Sequence, residues 1–335
     1  MFFSIVGIGV FIYGCFYGLS TALLDCDVLL GFCEKLGKSP RRLKGKVAFI
    51  TGASSGIGEH TAYALAKCGV KLILAARRNH ELQRVKVNCI HVSKGLLEDK
   101  DVLVIPMDLL DFASHKMHFQ HALRHFGTVD ILINNAGRSQ RAMWDEIELS
   151  VDRQMFELNL FSVINLSRIA LEYFNKKGEG HIAAISSLAG IIGVPFSASY
   201  TGSKHALHGY YNALRTEKLG KNIHVTLICP GPIYTNFLSE AFTGKDGEKY
   251  DQPAKASDRR MTAERCGQLN AVAIVNKLSE TWIGLFPVVP LTYIAVYFPL
   301  VFKLGLKVLG PGFLFKLRDS KDLKEIHSNS LKFGL

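Results

Sequence analysis

Between residues 46 and 231, short apolar runs alternate with longer mixed segments. The runs are KVAFIT (46–51), KLILAAR (71–77), VLVIPMD (102–108), DILINNA (130–136), HIAAISS (181–187) and HVTLICPG (224–231). Each is nearly continuous in hydrophobic residues, the pattern of strands covered on both faces. The segments between them are long enough for crossover helices. This alternation predicts an α/β domain on a doubly wound parallel sheet, a Rossmann fold, with right-handed crossovers. The domain is expected over residues 46–280, without internal repeats. A polar, Gly/Lys/Asp-rich stretch near 238–263 reads as a mobile insert.

Both ends depart from this pattern. Residues 1–24, MFFSIVGIGVFIYGCFYGLSTALL, carry no charged side chain and are long enough to cross a bilayer. A cleaved signal sequence competes with an anchor, but it usually opens on a positive region, and only the α-amine is present here. An uncleaved membrane anchor is the preferred reading. Residues 25–45 read as a basic linker, with Lys35, Lys38, Arg41, Arg42 and Lys44. That positive flank would place the following domain in the cytosol. Residues 281–335 are apolar, then basic. IGLFPVVPLTYIAVYFPLVF (283–302) is uncharged, but Pro287, Pro290 and Pro299 interrupt it and break interior helical hydrogen bonds. KLGLKVLGPGFLFKLR (303–318) has a basic, amphipathic character suited to an interface. A membrane-associated or substrate-covering segment is favoured over a second span; ordinary packing on the main domain is the alternative.

Charge and composition narrow the function classes. The chain has 335 residues, 48% of them hydrophobic, and a net charge of +11. No basic helix, zinc pattern or aromatic RNA-binding motif accompanies that charge, so nucleic acid is not the expected partner. An anionic membrane or a phosphorylated cofactor suits it better. The seven cysteines are scattered and odd in number, which argues against a disulfide framework or a zinc site. His115, His118, His121 and His125 cluster in one segment, but Phe119, Ala122, Leu123 and Phe126 form its apolar face. No carboxylate or cysteine completes a tetrahedral set, so no metal is expected there.

The candidate chemistry begins after the first strand. TGASSGIG places Gly52, Gly56 and Gly58 at a strand-to-helix junction. Small residues let the backbone approach a pyrophosphate, and the helix N-terminus aims its amides at the negative charge. The second strand ends in Ala76, Arg77 and Arg78, where an NAD site commonly offers an acid to the ribose. Guanidinium groups suit a 2′-phosphate, which predicts NADP(H) in preference to NAD(H). A Tyr-x-x-x-Lys spacing, which puts both residues on one helix face, occurs three times: Tyr63/Lys67, Tyr173/Lys177 and Tyr200/Lys204. Only Tyr200 follows a strand ending in Ser186-Ser187. Tyr63 and Lys67 read as the outer surface of the first helix. Lys176 and Lys177 read as cations at a helix C-terminus.

Taken in order, TGASSGIG, NNAG (134–137), a Ser-Ser pair thirteen residues before the tyrosine, YTGSK and PGPIYT (230–235) resemble the short-chain dehydrogenase/reductase superfamily. The resemblance covers residues 46–237 and extends, through the apolar N-terminus, to a membrane-associated group within it. It implies that Tyr200 is the general acid in reduction and the base in oxidation. Lys204 would bond the nicotinamide ribose and lower the Tyr200 pKa. Ser187 would orient the substrate carbonyl, and Asn159 would hold a water linking Lys204 to solvent. Gly52, Ser54, Ser55, Gly56, Ile57 and Gly58 would cradle the phosphates. Asp108 and Leu109 would meet the adenine. Asn135, Ala136 and Gly137 would lie along the cofactor, and Ile233 and Thr235 would meet the carboxamide. It further implies a lipophilic carbonyl or alcohol substrate such as a steroid or retinoid, an endoplasmic-reticulum membrane, and a homodimer seam on helices 152–177 and 201–219. Elementary chemistry supports these residue types. A free tyrosine ionises near pH 10, and a neighbouring ammonium favours the phenolate. A catalytically silent membrane scaffold on the same fold is the alternative, and the intact Asn159, Ser187, Tyr200 and Lys204 set argues against it.

Overall fold

The computed structural model describes residues 2–254, 258–310 and 313. Helix α1 (Phe2–Leu23) is followed by α2 (Val28–Leu36), and the alternating part then begins. In order it comprises β1 (Val47–Thr51), α3 (Gly56–Ala66), β2 (Lys71–Ala76), α4 (Asn79–Val92), β3 (Val102–Pro106), α5 (His115–Phe126) and β4 (Ile131–Asn134). Helices α6 (Leu149–Phe156) and α7 (Ser162–Lys177) lead to β5 (Gly180–Ile185), α8 (Ala198–Glu217) and β6 (Ile223–Pro230). The last part holds β7 (Ile233–Tyr234), β8 (Met261–Thr262), α9 (Ala263–Val275), β9 (Glu280–Ile283), α10 (Val288–Tyr297) and α11 (Pro299–Leu309).

Seven strands form one sheet in the order β3-β2-β1-β4-β5-β6-β9. Every neighbouring pair is parallel. Six strands are the predicted runs. The seventh, β9, joins β6 with Leu227 opposite Glu280; its residues Glu280-Thr281-Trp282-Ile283 open on two polar positions, so no continuous apolar run marks it. Alternate side chains of each strand supply the two faces. Ala48, Ile50, Leu72 and Leu74 pack with α3 and α9, while Phe49, Ile73 and Leu132 pack with Phe119, Leu166 and Phe174. Strand order reverses between β1 and β4, which opens a crevice at the carboxyl ends of the strands.

The stretch expected to be a linker is structured at the edge of this sheet. Asp27 caps α2 by accepting from the Leu30 amide at 2.9 Å, and its other oxygen accepts from the Trp282 amide of β9 at 2.7 Å. Cys26 forms an isolated antiparallel bridge with Ile283, and Cys26 and Leu30 are wholly buried. Arg265 of α9 binds Asp25 at 2.7 Å and also pairs with Glu34. Sequence periodicity misses this region because one buried side chain, Leu30, in nine helical residues leaves no readable stripe.

Helices α3 and α9 cross closely, since a Cβ at Gly267 would lie 2.5 Å from the His60 carbonyl. The 238–263 stretch reaches back to the main domain. Phe242 bridges to Gln140, and the Glu148 amide donates to the Gly244 carbonyl at 2.8 Å. Residues 255–257 of that stretch, and most of the basic tail beyond Gly310, lie outside the described residues. In α5, His115 is buried with Nε2 3.0 Å from the Leu109 carbonyl, so it holds the loop after β3 in place.

Candidate active site

The carboxyl ends of β1, β2, β4, β5 and β6 surround a cavity of about 740 Å³. Its floor starts at the glycine loop. Gly52 (φ 65°) and Gly56 (φ 60°) adopt the left-handed conformation that glycine tolerates. Gly58 is required for a different reason: a Cβ there would fall 2.4 Å from both Asn135 Nδ2 and the Gly52 carbonyl oxygen. Asn135 Nδ2 donates to the Thr51 and Gly52 carbonyls at 3.0 and 3.2 Å, tying the loop to the end of β4. Helix α3 opens at Gly56 with no side-chain cap from Ser55, so its first amides are available to an anion. A dinucleotide pyrophosphate fits this open, Cβ-free cradle.

The second strand delivers two arginines to the rim. Arg78 Nη2 donates to Ser54 Oγ at 3.1 Å and Ser55 Oγ at 3.0 Å, and Arg77 is exposed beside it. Asp108 and Leu109 line the same end, with Asp108 Oδ1 accepting from the Leu110 amide at 3.0 Å. Ala136, Gly137, Ile57 and Ile233 also face the cavity. Thr235 packs on the loop, its methyl 3.2 Å from where a Gly56 Cβ would stand.

At the inner end, β5 stops at Ile185 and hands over to Ser186 and Ser187. Ser187 Oγ donates to the Pro230 carbonyl at 3.2 Å and accepts from the Ala189 amide at 3.1 Å. Helix α8 brings Tyr200 and Lys204, with the Lys204 Nζ 5.7 Å from the Tyr200 ring centre. Lys204 is buried and its Nζ donates to the Ile185 carbonyl at 2.9 Å. Burial without a carboxylate partner pushes its pKa down to about 8. The Tyr200 ring meets Phe237 edge-on at 6.0 Å.

Two of the expected site residues stand behind the cavity wall. Gly58 packs under the loop as described. Asn159 lies in a π-helical turn (Glu157–Phe161) between α6 and α7, a feature that often marks functional positions. Its amide clasps one residue, accepting from the Arg138 amide and donating to the Arg138 carbonyl, both at 2.9 Å. Gly137 lies between these groups: a Cβ there would be 3.0 Å from Asn159 Oδ1 and 3.8 Å from Lys204 Nζ.

The other two Tyr/Lys pairs are structural. Tyr63 is half-buried rather than on the outer surface, donating to Glu59 at 2.7 Å and accepting from Asn88 at 3.0 Å. Burial and then Glu59 push its pKa up to about 12. Lys67 pairs with Glu264. Tyr173 donates to Thr128, and Lys177 pairs with Asp130. Neither pair reaches the cavity.

The sequence reading missed a buried chain of polar groups next to Ser187. Ser186 Oγ lies 2.9 Å from His208 Nε2, and His208 Nδ1 lies 3.4 Å from Glu280 Oε2. Gly190 leaves the room for it, since a Cβ there would be 2.8 Å from Ser186 Oγ and 2.9 Å from His208 Nε2. The available signal was spacing: Tyr200, Lys204 and His208 recur every fourth residue on α8. His208→Leu strands the buried Ser186 hydroxyl and takes one partner from Glu280, which keeps its bond from Trp282 Nε1, so stability should fall by about 1–3 kcal/mol, read as a lowered urea midpoint. An unchanged midpoint would show that the chain contributes nothing to stability.

Comparison with known proteins places this arrangement. Residues 46–246 match the short chain dehydrogenase family. The human dehydrogenase/reductase SDR family member 7 is 41% identical over 277 residues, covering 82% of this chain and 81% of the relative. The mouse protein of the same name is 39% identical over 278 residues, with 82% and 81% covered. Among solved structures, an alcohol dehydrogenase from the archaeon Thermococcus sibiricus, complexed with 5-hydroxy-NADP, superposes with a TM-score of 0.61. At 24% identity, over 71% of this chain and 95% of that one, it speaks for the fold alone. The glycine loop, the parallel sheet and the family match converge, and the chain belongs to the short-chain dehydrogenase/reductase family of oxidoreductases.

Proposed function

We propose that the protein is an NADP(H)-dependent oxidoreductase that interconverts a carbonyl and an alcohol on a lipophilic substrate. The observation that carries this reading is the meeting of Ser187, Tyr200 and Lys204 with the glycine loop in one cavity. When bound, the nicotinamide supplies the hydride. The glycine loop and the α3 amides hold its phosphates, and Lys204 bonds its ribose. Tyr200 hands its phenolic proton to the substrate oxygen in reduction and takes it back in oxidation. The Lys204 ammonium stabilises the phenolate left behind. Ser187 Oγ donates to the same oxygen as negative charge gathers there. Asn159 steadies the loop at Arg138 and holds the water through which Lys204 regains a proton. The inner cavity wall includes Leu188, Ile192, Val194, Leu291 and Phe302, which suits a bulky apolar substrate.

The cofactor preference rests on Arg77 and Arg78, which line the adenosine end of the cavity. Arg77→Asp with Arg78→Glu should raise the KM for NADPH at least tenfold and narrow or reverse the preference over NADH. An unchanged preference rejects NADP(H). NADPH oxidation by membranes carrying the protein, against a panel of apolar ketones and aldehydes, tests the reaction itself.

The same reading sets the protein in the endoplasmic-reticulum membrane with α1 as anchor and the catalytic domain in the cytosol. Glycosylation of a tag joined to the catalytic domain would overturn that orientation. Two copies would pair along α7 and α8, where Phe161 and Tyr210 stay exposed beside the seam.

A further inference from the structure

Helices α10 and α11 have two different sides. Val288 and Leu291 of α10 and Phe302 of α11 line the inner wall of the cavity. The outer side is apolar and open to solvent. Leu300, Leu304 and Val308 are 74%, 62% and 86% exposed. Their four-residue spacing puts them on one helix face, and Tyr297, Phe298 and Val301 extend that patch. Lys303 and Lys307 flank it. An apolar patch of this extent with a polar rim marks an interaction surface rather than ordinary solvent-facing surface.

What covers this patch is indicated by its neighbour. Helix α1 packs on α10, with the Tyr17 hydroxyl 3.0 Å from the Tyr293 hydroxyl and the two rings edge-on at 5.3 Å. Its 22 residues carry no charge, and Phe11, Ile12, Phe16, Leu19 and Leu23 stay exposed. Such a helix spans about 33 Å, close to the thickness of a bilayer core. The α11 patch therefore continues from an element with the length and composition of a membrane span. Helix α2 borders α1 on another side and adds Leu29, Phe32 and Leu36, all exposed, with Lys35 and Lys38 beside them. Apolar faces rimmed by lysines suit the headgroup–acyl boundary of an anionic bilayer. A second protein would need a matching concave face; a bilayer needs only the apolar face and its cationic rim.

We propose that α10 and α11 lie in the surface of the bilayer that α1 enters, so that lipid touches the outer wall of the cavity and an apolar substrate reaches the site through that wall. The substrate part rests on the catalytic reading above; the docking part does not.

The test uses the full chain in vesicles of phosphatidylcholine and phosphatidylserine, with lipids brominated along the acyl chain as quenchers. In a Trp144→Phe background, Leu304→Trp and Val308→Trp report on α11. Val87→Trp, on exposed α4 at the opposite sheet edge, is the control. Brominated lipid should remove at least half of the added fluorescence at 304 and 308 and leave that at 87 unchanged. Equal behaviour at all three positions overturns the docking. In the same vesicles, Leu300→Gln with Leu304→Gln should raise the KM for an apolar ketone about fivefold, with the KM for NADPH unchanged. An unchanged ketone KM overturns the route through the wall. Loss of ketone turnover in the parent protein would count against the catalytic reading, and quenching would still decide the docking.

Discussion

Tyr200→Phe is expected to lower carbonyl reduction by about 10²–10⁴-fold, the range spanned by a positioned acid or base. The phenyl ring keeps its edge-on contact with Phe237 and loses the proton. Lys204→Met should cost activity on a similar scale and raise stability. Lys204 is held near pKa 8 by burial, against 10.5 for a free lysine. A depression of that size corresponds to about 3 kcal/mol of desolvation paid by the folded state while the group is charged. The sign follows from the two pKa values. Below pH 8 the side chain is charged folded and unfolded, and the penalty is complete. Between 8 and 10.5 the folded state releases its proton first, so stability rises with pH and the penalty disappears. Losing the bond to the Ile185 carbonyl offsets about 1 kcal/mol. In the absence of cofactor, Lys204→Met should therefore be more stable than the parent by about 1–2 kcal/mol at pH 7, with the advantage gone by pH 10.5. Thermal melts at the two pH values measure it; a variant less stable at pH 7 would refute the penalty. Equal NADPH turnover by Tyr200→Phe and the parent protein would remove Tyr200 from the mechanism.

The second large effect concerns where the folded domain begins. A chain cut to start at Lys46 loses Cys26 and Leu30 from the core, Asp27 from the Trp282 amide, and both carboxylates that hold Arg265. Burial of the two side chains and the severed polar contacts together amount to on the order of 5 kcal/mol. That is a large share of the stability of an ordinary domain. A chain starting at Asp25 keeps all of these contacts. Urea titration of the two truncated chains should separate them by that amount, and matching midpoints would show that the segment merely rests on the sheet.

These cases show which parts of the structure the sequence could express. The glycine loop is readable because its physical requirement is local: positive φ at Gly52 and Gly56 and no Cβ at Gly58. The six predicted strands are readable because burial on both faces leaves continuous apolar runs. Strand β9 and helix α2 are not, since each carries polar positions and exists through its partner. Asp27 carries no local sign that it will meet Trp282, 255 residues later. The link from His208 to Glu280 is missing for the same reason. Asn159 enters only through the family resemblance, while the π-turn that points it at Arg138 depends on a hydrogen-bond shift that residue types do not encode.

The edge bridge between Cys26 and Ile283 has a mechanical meaning as well. Helix α1 ends at Leu23, and the chain is already paired with the sheet at Cys26. The two are joined without a tether, so the domain has little room to swivel on α1. Its cavity keeps one height and one heading relative to that helix, like a tool fixed to its handle. A flexible insertion after Leu24 would add slack, and the site would then sample orientations that the natural joint forbids.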